Sequence, residues 1–520
     1  MTQADSRQID LSGVFTRFPA VSEDGELKAD KTNPAIRLYG RRFYKDQTPI
    51  EYLAEFLLVF ASPKNDQGDN ENNGSYQLRI DTNNKKIPCY YPQNRVALKL
   101  FAFFPSSKLE TRHPVHRQAY IDALEAIKEC LTDLKNEDKD ETIRLIQSLL
   151  NGFVGVAKNR TWATHSFLPV STGFLARELD WLHSKAIKDS ALETWQDADR
   201  YFTGDRHNFM GRGGELLFLQ LANLFSKTDA SNELLELRIR IEKELSKILN
   251  KSIDSIAGLV RLIESKLQNC KITLISPHAN LGWVPAASCD EALLFAKEMD
   301  NICTSNLGSL EKIDLLKTLC CMQVLRSLCF QARRVDNAER RTADFIGQYA
   351  WIVADPEAKT DTPIRQMAKN SFVCIEAMLY RVLRKKEILD LQVKFSVAEG
   401  DKHGFNIFRK IAKEIGLVIP KNGGGQRFTL HQGLLRFLVA ALIKPGERIR
   451  LNHFYQRVFA HYGIALGGQE LAIALAWSGN ESGGESYAIS ANTAWIEEAL
   501  QQGGFLVELS DAVSIVHNPG

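Results

Sequence analysis

Asp205-Arg206-His207-Asn208-Phe209-Met210-Gly211-Arg212-Gly213-Gly214-Glu215-Leu216-Leu217-Phe218-Leu219 is a polar, glycine-bearing knot that runs straight into an apolar stretch continuing to Phe225. Loop chemistry feeding a helix N-terminus gathers unsatisfied backbone N–H groups at the positive end of a helix dipole, a place where an anion is favoured. Arg206, His207 and Arg212 stand beside that end. The plainer reading is a tight turn whose glycines supply positive φ, its Arg and His side chains satisfied by neighbouring carbonyls. Both readings place a helix after Gly213, and helical runs separated by polar breaks recur along most of the chain.

A chain of 520 residues has room for about two to four domains. Hydrophobic residues at 44% and charged residues at 25% are ordinary for a globular protein, so a core is assured. Net charge is only +2, which leaves no global field to recruit nucleic acid or an anionic membrane; binding of either needs a local patch. The nine cysteines are odd in number, form no CxxC pair and sit mostly in apolar helical runs. That excludes a zinc ribbon or a thioredoxin-type site and fits reduced, buried thiols in a cytoplasmic protein. The first ten residues lack an apolar signal-peptide core, and runs such as Leu53–Ala61 are too short to span a membrane.

Outward from the central stretch, Thr48-Pro49-Ile50-Glu51 has the form of a capping box and opens an almost wholly apolar helix to about Ala61. Pro63 to Gly74 reads as a surface loop, and Tyr76–Ile80 and Ile87–Tyr91 are β-prone. Asn159–Pro169 interleaves aromatic and basic residues, which suits base stacking or, more plainly, a packed corner. Residues 228–270 are charge-laced and helical, and Ser276–Trp283 is turn-rich. Leu310–Phe330 is helical with Cys320, Cys321 and Cys329 at core positions.

Two basic clusters follow. Arg326, Arg333, Arg334, Arg340 and Arg341 form the first; Arg381, Arg384, Lys385 and Lys386 close a helix over 364–386. On one side of the protein they would track phosphates. Separately, they are a solvated face and a cationic last turn that suits the helix dipole.

Lys421–Gln426, with three consecutive glycines, is the clearest linker. Beyond it an apolar helix (430–443), a Pro-Gly turn, an extended piece (448–451), a helix to Tyr462, a Gly-rich interval, a helix (492–502) and a hairpin (505–509 with 513–517) follow in order. Helices ending in a hairpin give the order of a winged helix. Arg448, Arg450 and Arg457 make its first half basic, yet no Lys or Arg occurs from Ile464 to Gly520, and the would-be recognition helix carries Glu497 and Glu498. Groove reading favours Arg, Lys, Asn or Gln on that helix, so docking of a protein is the preferred expectation over DNA.

No Walker A loop, GxSxG elbow, HExxH or zinc-deaminase signature is present, and no cofactor is expected. Asp355, Glu357 and Lys359 form an acid-x-Lys arrangement like that of metal-dependent nucleases, without an evident second strand to bring another acid. Glu399, Asp401 and His403 are close enough in sequence for a cation site or a solvated turn; His113, His116 and Arg117 likewise, or a surface bend at Pro114. Taken together, Asn159–Pro169, Arg206–Leu217 and the final helix–hairpin module resemble large non-catalytic components of bacterial phage-defence and restriction systems, the phosphorothioate-dependent kind among them. The resemblance implies a subunit working beside an ATPase or nuclease and assigns no site residue.

The expectation is therefore a mainly α, multidomain protein with few short strands: an N-terminal helical domain with minor β (1–275), a central helical domain (284–420) and a winged-helix-like domain (426–520). Its expected role is a non-enzymatic DNA-binding or adaptor subunit. Arg206, His207, Arg212, Arg333, Arg334, Arg340, Arg341, Arg384, Lys385, Lys386, Arg448, Arg450 and Arg457 are the candidate nucleic-acid contacts. A metal-dependent nuclease and a purely protein-binding scaffold are the alternatives.

Overall fold

A computed structural model describes residues 213–227, 231–249, 278–336, 345–389, 397–479, 493–508 and 514–519, most of 12–92, and separate pieces between 125 and 203. The protein is mainly α with only short strands. Its helices of nine or more residues, among those described, are α1 (Pro49–Ala61), α2 (Asn136–Gly152), α3 (Gly213–Phe225), α4 (Asn232–Leu249), α5 (Cys289–Thr304), α6 (Ser309–Val335), α7 (Pro363–Val382), α8 (Phe405–Glu414), α9 (Gln432–Leu442), α10 (Leu451–Tyr462), α11 (Gly468–Trp477) and α12 (Ala494–Gln502).

Helix α6 is the axis. Its residues from Leu319 to Ala332 are all buried, as expected of a helix whose apolar residues run all the way round. It packs against α1, α3, α5, α7, α8 and α9, so helices spread from Pro49 to Leu442 meet on it. One apolar core follows, running without a break from Ala35 to Val516. Cys320, Cys321 and Cys329 lie in that core, and burial pushes their thiols up, which keeps them protonated and inert.

Helix α1 starts as its sequence requires: the Glu51 carboxylate accepts from the Thr48 backbone N–H at 2.6 Å, and Pro49 occupies the first helical position. It lies tightly against α3. A Cβ on Gly214 would fall 2.3 Å from the Tyr52 carbonyl oxygen and 2.5 Å from the Phe56 nitrogen, and one on Gly213 would enter the Tyr52 ring. The glycine pair therefore serves backbone approach inside a helix, and neither residue is among the glycines with positive φ, which corrects the tight-turn reading.

The turn-rich stretch at 276–283 and the linker at 421–426 both belong to strand pairings. Ala279–Asn280 pairs with Cys89–Tyr90 and Val284–Pro285 with Arg17–Phe18, with Trp283 buried between them. Val418–Ile419 pairs antiparallel with Arg427–Phe428, so the glycine-rich stretch is the turn between two strands. Trp351–Ile352 pairs in parallel with Ile464–Ala465, a strand that apolar Tyr349–Ala354 did not announce because a buried run lacks the period-2 alternation.

The C-terminal module has helices α9, α10, α11 and α12 and strands β1 (Arg448–Arg450), β2 (Leu506–Glu508) and β3 (Ser514–His517). The three strands form an antiparallel sheet in the order β1–β3–β2, in which Ile449 and Leu506 both register with Val516. These three side chains are buried toward the helices. Helix α11 occupies the interval that the glycines of 463–468 made look irregular.

Overpacking a helix contact held at backbone distance costs about 1–3 kcal/mol. Gly214→Ala should therefore lower the unfolding free energy by that amount, read as a lower urea midpoint at an unchanged m-value, whereas an unshifted midpoint would show that α1 and α3 separate freely.

Candidate functional site

The helix N-terminus that the central stretch predicted is real, and its anion is internal. The Gly214 N–H donates to Glu55 Oε2 at 2.7 Å, and the Gly213 N–H donates to Gln47 Oε1 at 3.2 Å. Gln47 Nε2 in turn donates to Glu55 Oε2 at 2.9 Å. Gln47 and Glu55 are both buried, so a carboxylate from α1 fills the place where an external anion was expected. Arg206, His207 and Arg212 lie outside the described residues, as do Arg340, Arg341, His113, His116 and Arg117.

The described part of the basic clusters is spent on carboxylates. Asp336, almost fully buried, receives Arg381 Nη2 at 2.6 Å, Lys385 Nζ at 3.5 Å and Arg333 Nη1 at 3.7 Å. Arg334 Nη2 donates to Glu291 Oε2 at 2.6 Å, and Arg384 forms a two-point pair with Asp401 at 2.9 and 2.7 Å. Arg457 pairs with Glu447 at 2.6 Å, Arg436 with Glu311, and Arg427 donates to the Pro356 carbonyl. Lys386 is exposed, and Arg448 and Arg450 are exposed on β1 without an ion pair among the described residues. The clusters thus act mainly as cross-links between helices, with Arg448 and Arg450 as the adjacent pair left facing solvent.

Arg326, which sequence placed in the first basic cluster, does something different. It is fully buried and forms a two-point pair with the fully buried Glu298 at 2.7 and 2.8 Å. Its Nε donates to Gln323 Oε1 at 2.8 Å, Nη2 donates to the same oxygen, and Nη1 reaches the His461 carbonyl at 3.2 Å. All five guanidinium N–H groups thereby have acceptors. The guanidinium also lies 4.8 Å over the Tyr462 ring. His461 Nδ1 meets Glu298 Oε1 at 2.7 Å, and Gln323 continues the network to Gln220 on α3 at 2.7 Å. Burial pushes the Glu298 carboxyl up, but Arg326 and His461 outweigh it and hold it below the usual carboxylate range.

His461 is one-fifth exposed and opens onto a cleft of about 610 Å³ between α4, α5 and α10. The cleft carries both signs of charge. Arg240 is paired with Asp300 and Arg457 with Glu447, while Lys297 and Lys444 come from opposite sides. This is the seam between the C-terminal module and the rest of the protein.

The remaining candidates separate. Asp355 Oδ1 accepts from the Glu357 N–H at 2.9 Å, and Glu357 and Lys359 are exposed. Asp401 is held by Arg384, Glu399 pairs with Lys402, and His403 is buried with Nδ1 3.0 Å from the Phe43 carbonyl. Among the described residues no group of three or more His, Cys, Asp or Glu side chains is arranged to hold a metal ion. No described helix is long and apolar enough to cross a membrane. Comparisons with protein-family models, curated proteins and solved structures gave no match.

Removing one partner of a buried pair strands the other and costs about 3–5 kcal/mol, whereas replacing both with apolar side chains is close to neutral. Arg326→Met should destabilise by that amount, and Arg326→Met/Glu298→Leu should recover most of it in urea denaturation. Because the folded pKa of Glu298 is depressed, the pair's contribution is complete above the unfolded carboxylate pKa of about 4.3 and is lost as pH falls below it. The double variant should therefore show a flatter acid limb than the wild type.

Proposed function

We propose that this chain is a non-enzymatic adaptor subunit that docks a partner protein through its C-terminal module, and that the module is winged-helix-like. Supporting the second point are the order α9, β1, α10, α12, β2, β3 and the strand order β1–β3–β2, with α11 as an insertion before α12. In that arrangement α12 stands where a DNA-reading helix would.

One observation carries the choice of protein over DNA. The exposed side of α12 offers Glu498, Gln501 and Gln502, with half-buried Glu497 accepting from Ser514 at 3.2 Å, and no Lys or Arg occurs from residue 464 onward. Phosphate contacts dominate DNA affinity, and an acidic helix opposes them. The ion pairs at Asp336, Glu291 and Asp401 add to this, because they occupy cations that a phosphate-tracking face would need. In the phage-defence setting that the resemblance implies, the docked protein is an ATPase or a nuclease.

Duplex DNA binding, followed by fluorescence anisotropy at two salt concentrations, tests the reading. The expected Kd is in the non-specific range of about 10⁻⁴–10⁻⁶ M at physiological salt. Nanomolar binding that weakens with salt and disappears in Arg448→Ala/Arg450→Ala would replace the adaptor with a DNA-binding subunit.

A further inference from the structure

The module's sheet has an outer face that is exposed along its two edge strands and half-buried along the central one. Ile449, Val516 and Leu506 point inward to the helices, so Arg448, Arg450, Ile515, His517 and Val507 alternate onto the other side. The registers set Arg450, Ile515 and Val507 in one row, and Arg448 opposite His517. The face is therefore cationic along β1 and apolar toward β2, where Val507 is 46% exposed. Arg448 and Arg450 have no carboxylate among the described residues, in a protein where Arg240, Arg326, Arg334, Arg384, Arg409 and Arg457 are all paired.

Among the described residues, the complementary charge lies on helix α12 of the same module, on the opposite side of the sheet. The 57 residues from Ile464 to Gly520 contain seven acidic residues and no Lys or Arg. Within them α12 packs against β2 from the inner side through buried Ile496 and Leu500, which leaves Glu498, Gln501 and Gln502 facing away. The sheet separates this acidic helix from Arg448 and Arg450, so one molecule cannot bring the two together.

We propose that the outer sheet face of one chain receives helix α12 of a second copy. Arg448 and Arg450 meet Glu498 and its neighbours, and Ile515 and Val507 give the contact an apolar centre. The two patches face opposite ways, so one partner cannot engage both and the contact is heterologous: it leaves one of each open at the ends and grows beyond a dimer or closes into a ring. Charge complementarity of exposed groups also makes it weaken with salt, since screening acts within about 10 Å at 0.1 M. The inference rests on reading the module as a docking element and names one thing that it docks.

Sedimentation velocity of the full chain over a range of concentrations, at low and high salt, tests it with charge reversals at exposed positions. Wild type should associate with rising concentration and dissociate in high salt. Arg448→Glu/Arg450→Glu and Glu498→Lys/Gln502→Lys should each remain monomeric, the first with two acidic surfaces and the second with two basic ones. An equimolar mixture of the two variants should associate again, because each then offers the surface that the other has lost. Unchanged thermal melting of each variant excludes misfolding as the cause of lost association. A wild type that stays monomeric at every concentration, or association indifferent to both variants, overturns the proposal. Binding of duplex DNA to the Arg448–Arg450 face of a monomer also overturns it. None of the self-association results requires a partner protein, so failure here leaves the adaptor reading standing on its own test.

Discussion

A cation sealed inside a protein demands an anion with equal burial and enough acceptors for every N–H it carries. Arg326 meets both demands only because helices α5, α6 and α10 stand where they do: Glu298 comes from the first, Gln323 from its own helix and the His461 carbonyl from the third. Moving any of these helices by the width of a hydrogen bond leaves a charge without compensation in a medium where that is costly. The pair itself adds little net stability compared with an apolar replacement. What it does is fix relative position, since many apolar packings are nearly equal in energy and very few satisfy five donors at once. This constraint acts on the seat of the C-terminal module together with the parallel pairing of Ile464–Ala465 with Trp351–Ile352 and the Asn301–Ala441 hydrogen bond.

The same logic explains how charge is used elsewhere. Glu55 ends in a helix dipole, Asp336 gathers Arg333 from α6, Arg381 from α7 and Lys385 from the turn after it, and Asp401 clamps Arg384. Groups that look like a binding surface when read along the chain are joints between segments distant along it. On the C-terminal module, Arg448 and Arg450 stand exposed on the outer sheet face without an ion pair among the described residues, while α12 carries the opposite sign.

Much of the fold was legible in local signals. The capping box at Thr48–Glu51, the apolar helices and the element order of the C-terminal module apart from α11 follow from periodicity, proline and glycine, which act over a few residues. The site was less legible, because an ion pair depends on separation in space. His461 lies 163 residues from Glu298, and no spacing rule links them. A signal did exist: Arg326 stands within Cys320–Phe330, flanked by Leu325, Leu328 and Cys329, where an arginine has no route to water. Counting it with Arg333 and Arg334 as surface charge missed that. The Gly213–Gly214 pair misled in a similar way, since glycine serves both positive φ and close backbone approach, and only the neighbouring helix decides between them.

A Glu298–Arg326–His461 joint of this kind makes the body and the C-terminal module open together. Native-state hydrogen exchange on α6 and α10 measures this most directly, comparing the slowest amides of each helix in wild type and in Arg326→Met. The account predicts one opening free energy shared by both helices, falling by the same amount in the variant. Amides of α10 that exchange by a separate, lower-energy opening in the wild type, or a variant that lowers protection in α6 alone, would contradict it.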